Sequence, residues 1–282
     1  MVENRPWLTL FSHAVLIAGV LVVAFPLYVT FVVSTRSLEE ILQVPMPLVP
    51  GGELLHNYRQ VLTAGSTRGS GAAVSTMLLN SLIMAMAIAT GKIAISIIAS
   101  FAIVYFRFRL RRFFFWMIFV TLMLPVEVRI IPTFKVVADL GLLDSYVGLT
   151  LPLIASATAT FLFRQFFLTI PEELAEASRI DGAGPLRFFR DVVLPLSGTS
   201  IAALFVIQFI YGWNQYLWPL LITSKESMYT TVIGIKRMIV GGDATNEWPL
   251  IMATAMLSLL PPAAVVVLMQ KWFVKGLVET EK

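Results

Sequence analysis

Residues 172–195 read EELAEASRIDGAGPLRFFRDVVLP. This is an island of charge between apolar runs that reach the ~20 residues a helix needs to cross a bilayer. The whole chain is 57% hydrophobic and only 13% charged, well below the roughly 25% charged of an ordinary globular domain. Thr169 with Glu172 three residues on has the pattern of a capping box, and Pro171 suits the first turn of a helix. Glu172, Glu173 and Glu176 then sit near the positive end of that helix dipole. Gly182 supplies the tight turn that ends it. Pro185 is expected to open a second short helix through Leu186, Phe188, Phe189 and Val192, and Pro195 to stop it. Two short helices lying across a membrane face are predicted. Leu174, Ala177, Ile180 and Phe188 are then available to fill a partner's groove, and Glu173 and Glu176 share a face. Taken alone, these residues equally describe an amphipathic interfacial hairpin with no partner.

Working outward, the flanking runs set the class. Lipid leaves backbone polar groups unsatisfied outside helices and closed barrels, and these runs are too long and too uniformly apolar for barrel strands. The predicted fold is all-α and integral to a membrane, one domain over residues 1–282 with six transmembrane helices. They run roughly Ser12–Ser34, Val74–Phe106, Phe113–Ile131, Tyr146–Phe167, Gly198–Ile222 and Leu250–Lys271. Pro26, Pro125, Pro152, Pro219 and Pro261-Pro262 punctuate them and favour kinks. The first run, about Phe11 to Val33, exceeds the roughly 7–15 residues of a signal-peptide core, so it is expected to be retained.

Arginines orient the spans. Arg107, Arg109, Arg111 and Arg112 crowd the loop between spans two and three, which the positive-inside rule puts in the cytoplasm. Six spans then place both termini and the segment 169–196 inside as well. Loops of about Thr35–Ala73, Pro132–Ser145 and Thr223–Pro249 are expected outside.

Several chemistries are excluded. There is no cysteine, hence no disulfide, thiolate nucleophile or iron–sulfur centre. His13 and His56 are the only histidines and stand far apart, so no metal site or catalytic triad is supported. No G-x-x-x-x-G-K-[ST] loop occurs, so the chain is not expected to hydrolyse ATP. The net charge of +4, without a basic cluster interleaved with aromatics, does not suggest nucleic acid. No enzyme activity and no cofactor on this chain are expected.

A few polar residues inside the spans are candidates for a translocation path. Lys92 is a charge deep in span two, where it costs at least about 2.5–3.5 kcal/mol at the bilayer centre and must face protein or water. Two readings are open: a cationic contact for a phosphorylated substrate in transit, or an interhelical hydrogen bond. Gln208 and Asn214 in span five are read either as pore-lining or as packing groups. Glu127 and Arg129 line an external gate or form a solvated helix end, the second being favoured. Trp213, Tyr216 and Trp218 read as an interfacial aromatic belt.

From Glu176 the spacing is Glu-Ala-Ser, three residues, Gly182, nine residues, Val192-x-Leu194-Pro195. Further stretches are Leu124-Pro125-x-Glu127-x-x-x-Ile131-Pro132, Gly141-Leu142-Leu143-Asp144, Arg164-Gln165-Phe166-Phe167, Trp213-Asn214-x-x-Leu217-Trp218-Pro219 and Phe273-Val274-x-Gly276-Leu277. In this order they resemble the permease subunits of ATP-binding-cassette importers of the carbohydrate type, in the branch of the maltose importer's smaller permease. The family has Ala where Ser178 stands and usually Ile where Val192 stands.

The resemblance implies a type I importer permease fold whose loop 169–196 docks on a separate ATPase. Glu173, Glu176, Ala177, Ser178, Asp181, Gly182, Leu194 and Pro195 would form the docking surface. It implies a bacterial inner-membrane assembly with two ATPase subunits carrying ATP-Mg, a second non-identical permease and an extracytoplasmic solute-binding protein. Gly241, Gly242 and Asp243 would then meet the binding protein, the other reading being a flexible connector. Within the branch, Glu3-Asn4-Arg5-Pro6-Trp7-Leu8-Thr9, Ser156-Ala157-Thr158-Ala159-Thr160-Phe161-Leu162-Phe163 and the tail Gly276-Leu277-Val278-x-x-Glu281-Lys282 resemble the second permease of sn-glycerol-3-phosphate importers. The implied cargo is glycerol 3-phosphate or a glycerophosphodiester, with a neutral sugar or polyol as the other reading. A secondary carrier is the competing class, but its inverted repeats and ion-holding broken helices are not visible.

Overall fold

The computed structural model describes residues 6–66, 71–121, 126–239 and 246–278. Among these the chain is helical, with no strand. In order come α1 Pro6–Ser34, α2 Leu38–Ile41, α3 Leu54–Thr63, α4 Val74–Tyr105, α5 Arg111–Val120, α6 Val126–Asp139, α7 Tyr146–Thr150 and α8 Ala157–Phe167. They are followed by α9 Glu172–Ile180, α10 Pro185–Phe188, α11 Leu194–Leu196, α12 Gly198–Trp213, α13 Leu217–Ile222, α14 Thr231–Met238 and α15 Trp248–Val278.

Among the described residues three helices are long and apolar enough to cross a membrane unbroken: Trp7–Ser34, Val74–Tyr105 and Trp248–Trp272. At 1.5 Å of rise per residue each exceeds the ~30 Å hydrocarbon core. Pro26 lies inside α1 and Pro261 and Pro262 inside α15. Helices in lipid tolerate such prolines because neighbours re-satisfy the freed carbonyls.

Among the described residues two apolar helix pairs are bent at a short break. Tyr146–Leu153 meets Ala157–Phe167 at 48°, and Pro185–Leu196 meets Gly198–Trp213 at 70°. The first break has a local cause. Pro152 sits in a 3₁₀ turn at Leu151–Leu153, and the Ser156 hydroxyl restarts the helix by accepting from the Ala159 N–H. Span five starts at Gly198 as expected and differs at its C-terminal end. It closes at Trp213 with Asn214 as its C-cap, and Leu217–Ile222 forms a separate short helix. The expected third span is divided between α5 and α6, with residues 122–125 outside those described. Six spans are compatible with this arrangement.

The chain forms two compact units. In the first, Met1–Ser75 with Gly234–Leu259, α1 buries only its end, Val32 to Thr35. The Asn57 side-chain amide donates to the carbonyls of Ser34 and Arg36, each at 3.0 Å. These are groups a helix terminus leaves orphaned. Upstream, Leu16, Leu21, Val22 and Val23 are exposed, an apolar surface suited to lipid. A capping box between Ser37 and Glu40 opens α2.

Among its described residues, the second unit, Thr76–Ile233 with Leu260–Lys282, includes three apolar clusters. Phe209 and Trp213 of α12 pack on Ala85 and Ala89 of α4. There a Cβ on Gly212 would come within 2.9 Å of the Ala85 Cα, so a small residue is what permits the close crossing. Met84, Ile88, Leu149, Trp218 and Ile222 form a second group. Ile97 and Phe101 of α4, Phe163 and Phe167 of α8, Leu204 of α12, and Ala175, Phe188 and Val193 form the third. Trp213 and Trp218 are each 3% exposed, and the Trp218 indole donates to the Gly148 carbonyl at 3.1 Å. They are core residues rather than an aromatic belt, and for Trp218 a backbone carbonyl meets the polar handle that an interface would otherwise satisfy. Of the three aromatics, Tyr216 alone is exposed.

Candidate functional site

The charged segment forms the two helices expected, with different ends. Helix α9 starts at Glu172, and its N-cap is Pro171 with no side-chain cap bond. Thr169 makes no capping box, because its hydroxyl donates back to the Phe166 carbonyl at 2.7 Å and closes the preceding helix instead. The C-terminal end matches expectation. Gly182 has φ +73°, its N–H donates to the Arg179 carbonyl at 3.0 Å, and Ala183 N–H donates to Ser178 at 2.9 Å. This is the Schellman pairing, with glycine at the left-handed position.

Pro185 opens α10 as its first residue. Pro195 does not stop the second helix. A π turn at Phe189–Val193 leads directly into Leu194–Leu196. A proline lacks the N–H and crowds the carbonyl four residues back, and a widened turn before it is a known accommodation. The rod ends at Ser197, whose N–H donates to the Val193 carbonyl at 3.0 Å.

Burial divides the segment into an anchor and a presented face. Ala175 and Phe188 are each 7% exposed and belong to the core. The Phe188 ring meets Tyr105 edge-on at 5.1 Å and lies 6.3 Å from Phe101, while Phe189 lies 4.8 Å from Phe101. Phe188 is therefore not free to fill a partner's groove: it fastens the hairpin to α4. Glu173, Glu176, Ala177, Asp181, Gly182, Leu194 and Pro195 are exposed, and Ser178 is half-buried. The apolar groups presented with them are Ile180, 87% exposed, and Leu186, 80% exposed. Leu186 was not singled out from the sequence; its place between Pro185 and a buried Phe188 was the available signal.

Within the second unit lies a cavity of about 740 Å³. Lys92 from α4 and Gln208 from α12 meet there, the ammonium donating to Oε1 at 3.0 Å. Lys92 is 6% exposed, and its Nζ also sits 3.6 Å from the centroid of the Tyr211 ring. Arg129 of α6 lines the same cavity. So do the hydroxyl residues Thr121, Ser156, Thr158 and Thr160. Asn214 is not part of it. It caps α12 and is exposed. Tyr211 and Arg129 are the members the sequence did not assemble, because their meeting depends on how α6 and α12 pack. Gly241, Gly242, Asp243, Pro125, the side chain of Glu127 and the terminal motif residues 3–5 and 279–282 lie outside the described residues.

Asp144, from the Gly141-Leu142-Leu143-Asp144 stretch, ties two turns together. At φ +51° its carboxylate accepts from the Ser224 N–H and hydroxyl, both at 2.6 Å, and from the Lys225 N–H at 3.0 Å. Desolvation pushes this carboxyl up, but those bonds from Lys225 and Ser224 outweigh it and hold it below its ordinary value.

Comparisons with known proteins agree with this architecture. The family model described as "Binding-protein-dependent transport system inner membrane component" matches residues 92–279. Over its 282 residues the chain is 62% identical to the sn-glycerol-3-phosphate transport system permease protein UgpE of Rhizobium meliloti (strain 1021), with both chains covered completely. It is 61% identical to the protein of that name from Brucella melitensis biotype 1 and 60% identical to that from Escherichia coli O1:K1 / APEC, again over both full lengths. A solved bacterial ABC transporter involved in the import of the acidic polysaccharide alginate contains a similar chain. It aligns with a TM-score of 0.80 at 22% identity, covering 97% of this chain and 99% of that one. At that identity the likeness is one of fold.

Proposed function

The chain belongs to the family of inner membrane components of binding-protein-dependent transport systems, and from that premise we propose that it imports sn-glycerol 3-phosphate or a glycerophosphodiester. It does so as one of two non-identical permeases, coupled to separate ATPase subunits and fed by an extracytoplasmic binding protein. The full-length identity of 62% to a permease with that cargo in its name supports the substrate. A neutral sugar or polyol is the second reading, since carbohydrate-type permeases share the motifs quoted above.

The observation that carries the coupling mechanism is the division of residues 169–196 into an inward anchor and an exposed acidic and apolar face. Glu173, Glu176, Ala177, Ser178, Asp181, Gly182, Leu194 and Pro195 are assigned to the ATPase groove, with Ile180 and Leu186 as its apolar contacts. Such a groove would present basic residues to the glutamates. When ATP-Mg closes the ATPase pair, the hairpin moves with it, and the Phe188 anchor transmits that movement to α4. ATP hydrolysis belongs to the partner. The loop arginines orient the assembly in a bacterial inner membrane with both termini cytoplasmic. Gly241, Gly242 and Asp243 are assigned to the binding-protein side, and Lys92 and Gln208 to the translocation path.

The decisive experiment is uptake of labelled glycerol 3-phosphate by a strain deleted for this gene, with and without the gene restored. It is paired with isolation of the detergent-solubilised complex. Uptake that depends on the gene, with an ATPase and a second permease co-purifying, is expected. A chain that purifies with neither partner would sink the importer reading. Gene-dependent uptake of a neutral polyol alone would move the cargo to the second reading.

A further inference from the structure

An enclosed cation, Lys92, and an exposed one, Arg129, share a cavity with no carboxylate among its described lining residues, and this needs an explanation. Lys92 is nearly enclosed, and its hydrogen-bond partner Gln208 is neutral. Tyr211 offers only a ring face. Arg129 lines the same space, and among the described residues no acidic side chain forms an ion pair with it. A buried charge left without a counter-ion is costly, and within a membrane it marks a functional position by default. A packing role would be met more cheaply by a neutral residue at Lys92, because Gln208 needs only a donor.

We propose that Lys92 and Arg129 form a two-cation clamp that receives the phosphate of a phosphomonoester as it crosses, resting on the reading of the chain as a permease. Arg129 presents the planar fork suited to two phosphate oxygens, and Lys92 a point charge. Gln208 and Tyr211 hold the ammonium when no anion is present. Both contacts are weak enough to exchange: a neutral amide acceptor and a ring face are surrendered to a dianion at modest cost. Thr121, Ser156 and Thr158 also line the cavity, and residues of this type suit the polyol part of such a solute. The cavity of about 740 Å³ falls in the ordinary range for small-molecule sites, roughly 300–1,000 Å³. The clamp thus selects by charge inside the membrane, in addition to any selection by the binding protein.

The test uses the complete importer in proteoliposomes, with its own binding protein. Uptake of glycerol 3-phosphate and ATPase activity are measured for the unaltered complex and for Lys92→Gln, Arg129→Gln, Lys92→Arg and Arg129→Lys. Loss of a charge-assisted hydrogen bond predicts a drop in uptake of about tenfold or more for each glutamine variant. Assembly of the complex and glycerol 3-phosphate affinity of the binding protein, a separate chain, should be unchanged. The two charge-preserving variants should recover a substantial part of the uptake. Uptake by both glutamine variants at the unaltered level overturns the clamp and leaves the permease reading intact. Equal loss in the glutamine and charge-preserving variants overturns it too, because charge would then not be what matters. No uptake of any solute by the unaltered complex would instead remove the permease reading. As a second measurement, glycerol 3-phosphate and inorganic phosphate should raise the thermal midpoint of the solubilised complex where glycerol does not, and Arg129→Gln should abolish that rise. Equal responses to glycerol and to the two anions would count against the clamp.

Discussion

The ring of Phe188 meets that of Tyr105 edge-to-face at 5.1 Å, joining the exposed hairpin to the end of α4. Truncating a core phenylalanine costs about 3–5 kcal/mol, and here the loss falls on the joint itself. Phe188→Ala is expected to leave the chain in the membrane while uptake falls and stimulation of the ATPase by loaded binding protein disappears. Phe188→Leu should retain part of both. Full stimulation in Phe188→Ala would show that movement does not pass through this ring.

Glu176 stands on the presented face of α9 and is exposed. Replacing it with lysine changes the charge offered to a basic groove without touching the core. Glu176→Lys should abolish uptake with normal membrane insertion, and co-purification of the ATPase should weaken. Normal transport by this variant would remove Glu176 from the docking surface.

Gly182 holds φ +73°, where a Cβ costs about 1–2 kcal/mol, although a Cβ there would meet no neighbour within 4 Å. Strain is then separable from crowding. Gly182→Ala should lower uptake and increase proteolytic cleavage at residues 181–184, and Gly182→Asn should do less of both because asparagine tolerates the left-handed region. Identical behaviour of the two variants would mean that backbone conformation is not the issue.

Asp144 gives a pH dependence whose sign is defined. Its carboxyl is held below its ordinary value, so the charged form is favoured by folding. The stabilisation is fully present above the ordinary carboxylate pKa, about 3.9, and is lost as pH falls through the lowered folded value. Solvent screening keeps it small, since the group is only half-buried. Thermal midpoints of the solubilised protein should show Asp144→Asn below the unaltered chain at neutral pH, with the gap closing in acid. A gap that stays constant would assign the effect to shape rather than charge.

How far the hairpin could be read in advance differs residue by residue. Gly182 and Pro185 were legible because glycine at C′ and proline at a helix start act through their own backbone, whatever surrounds them. Thr169 was not, since its hydroxyl could either accept from the first turn of α9 or donate back to the Phe166 carbonyl, and the structure takes the second. Phe188 and Ile180 are both apolar with helical spacing, yet one is buried and the other exposed. Which of them turns inward depends on where α4 and α8 stand.

The sequence by itself determined a helical membrane protein, its family and the short charged helices between its apolar runs. These follow from run length, charge placement and local backbone chemistry, all of which act over a few residues. Tertiary structure alone decided which side chains share a cavity. Lys92, Arg129, Gln208 and Tyr211 come from three helices widely separated along the chain, and only close packing, such as that allowed by Gly212 against Ala85, brings such helices together. Hydropathy averages over a helix and cannot say which face turns inward, whereas a buried charge depends entirely on that face.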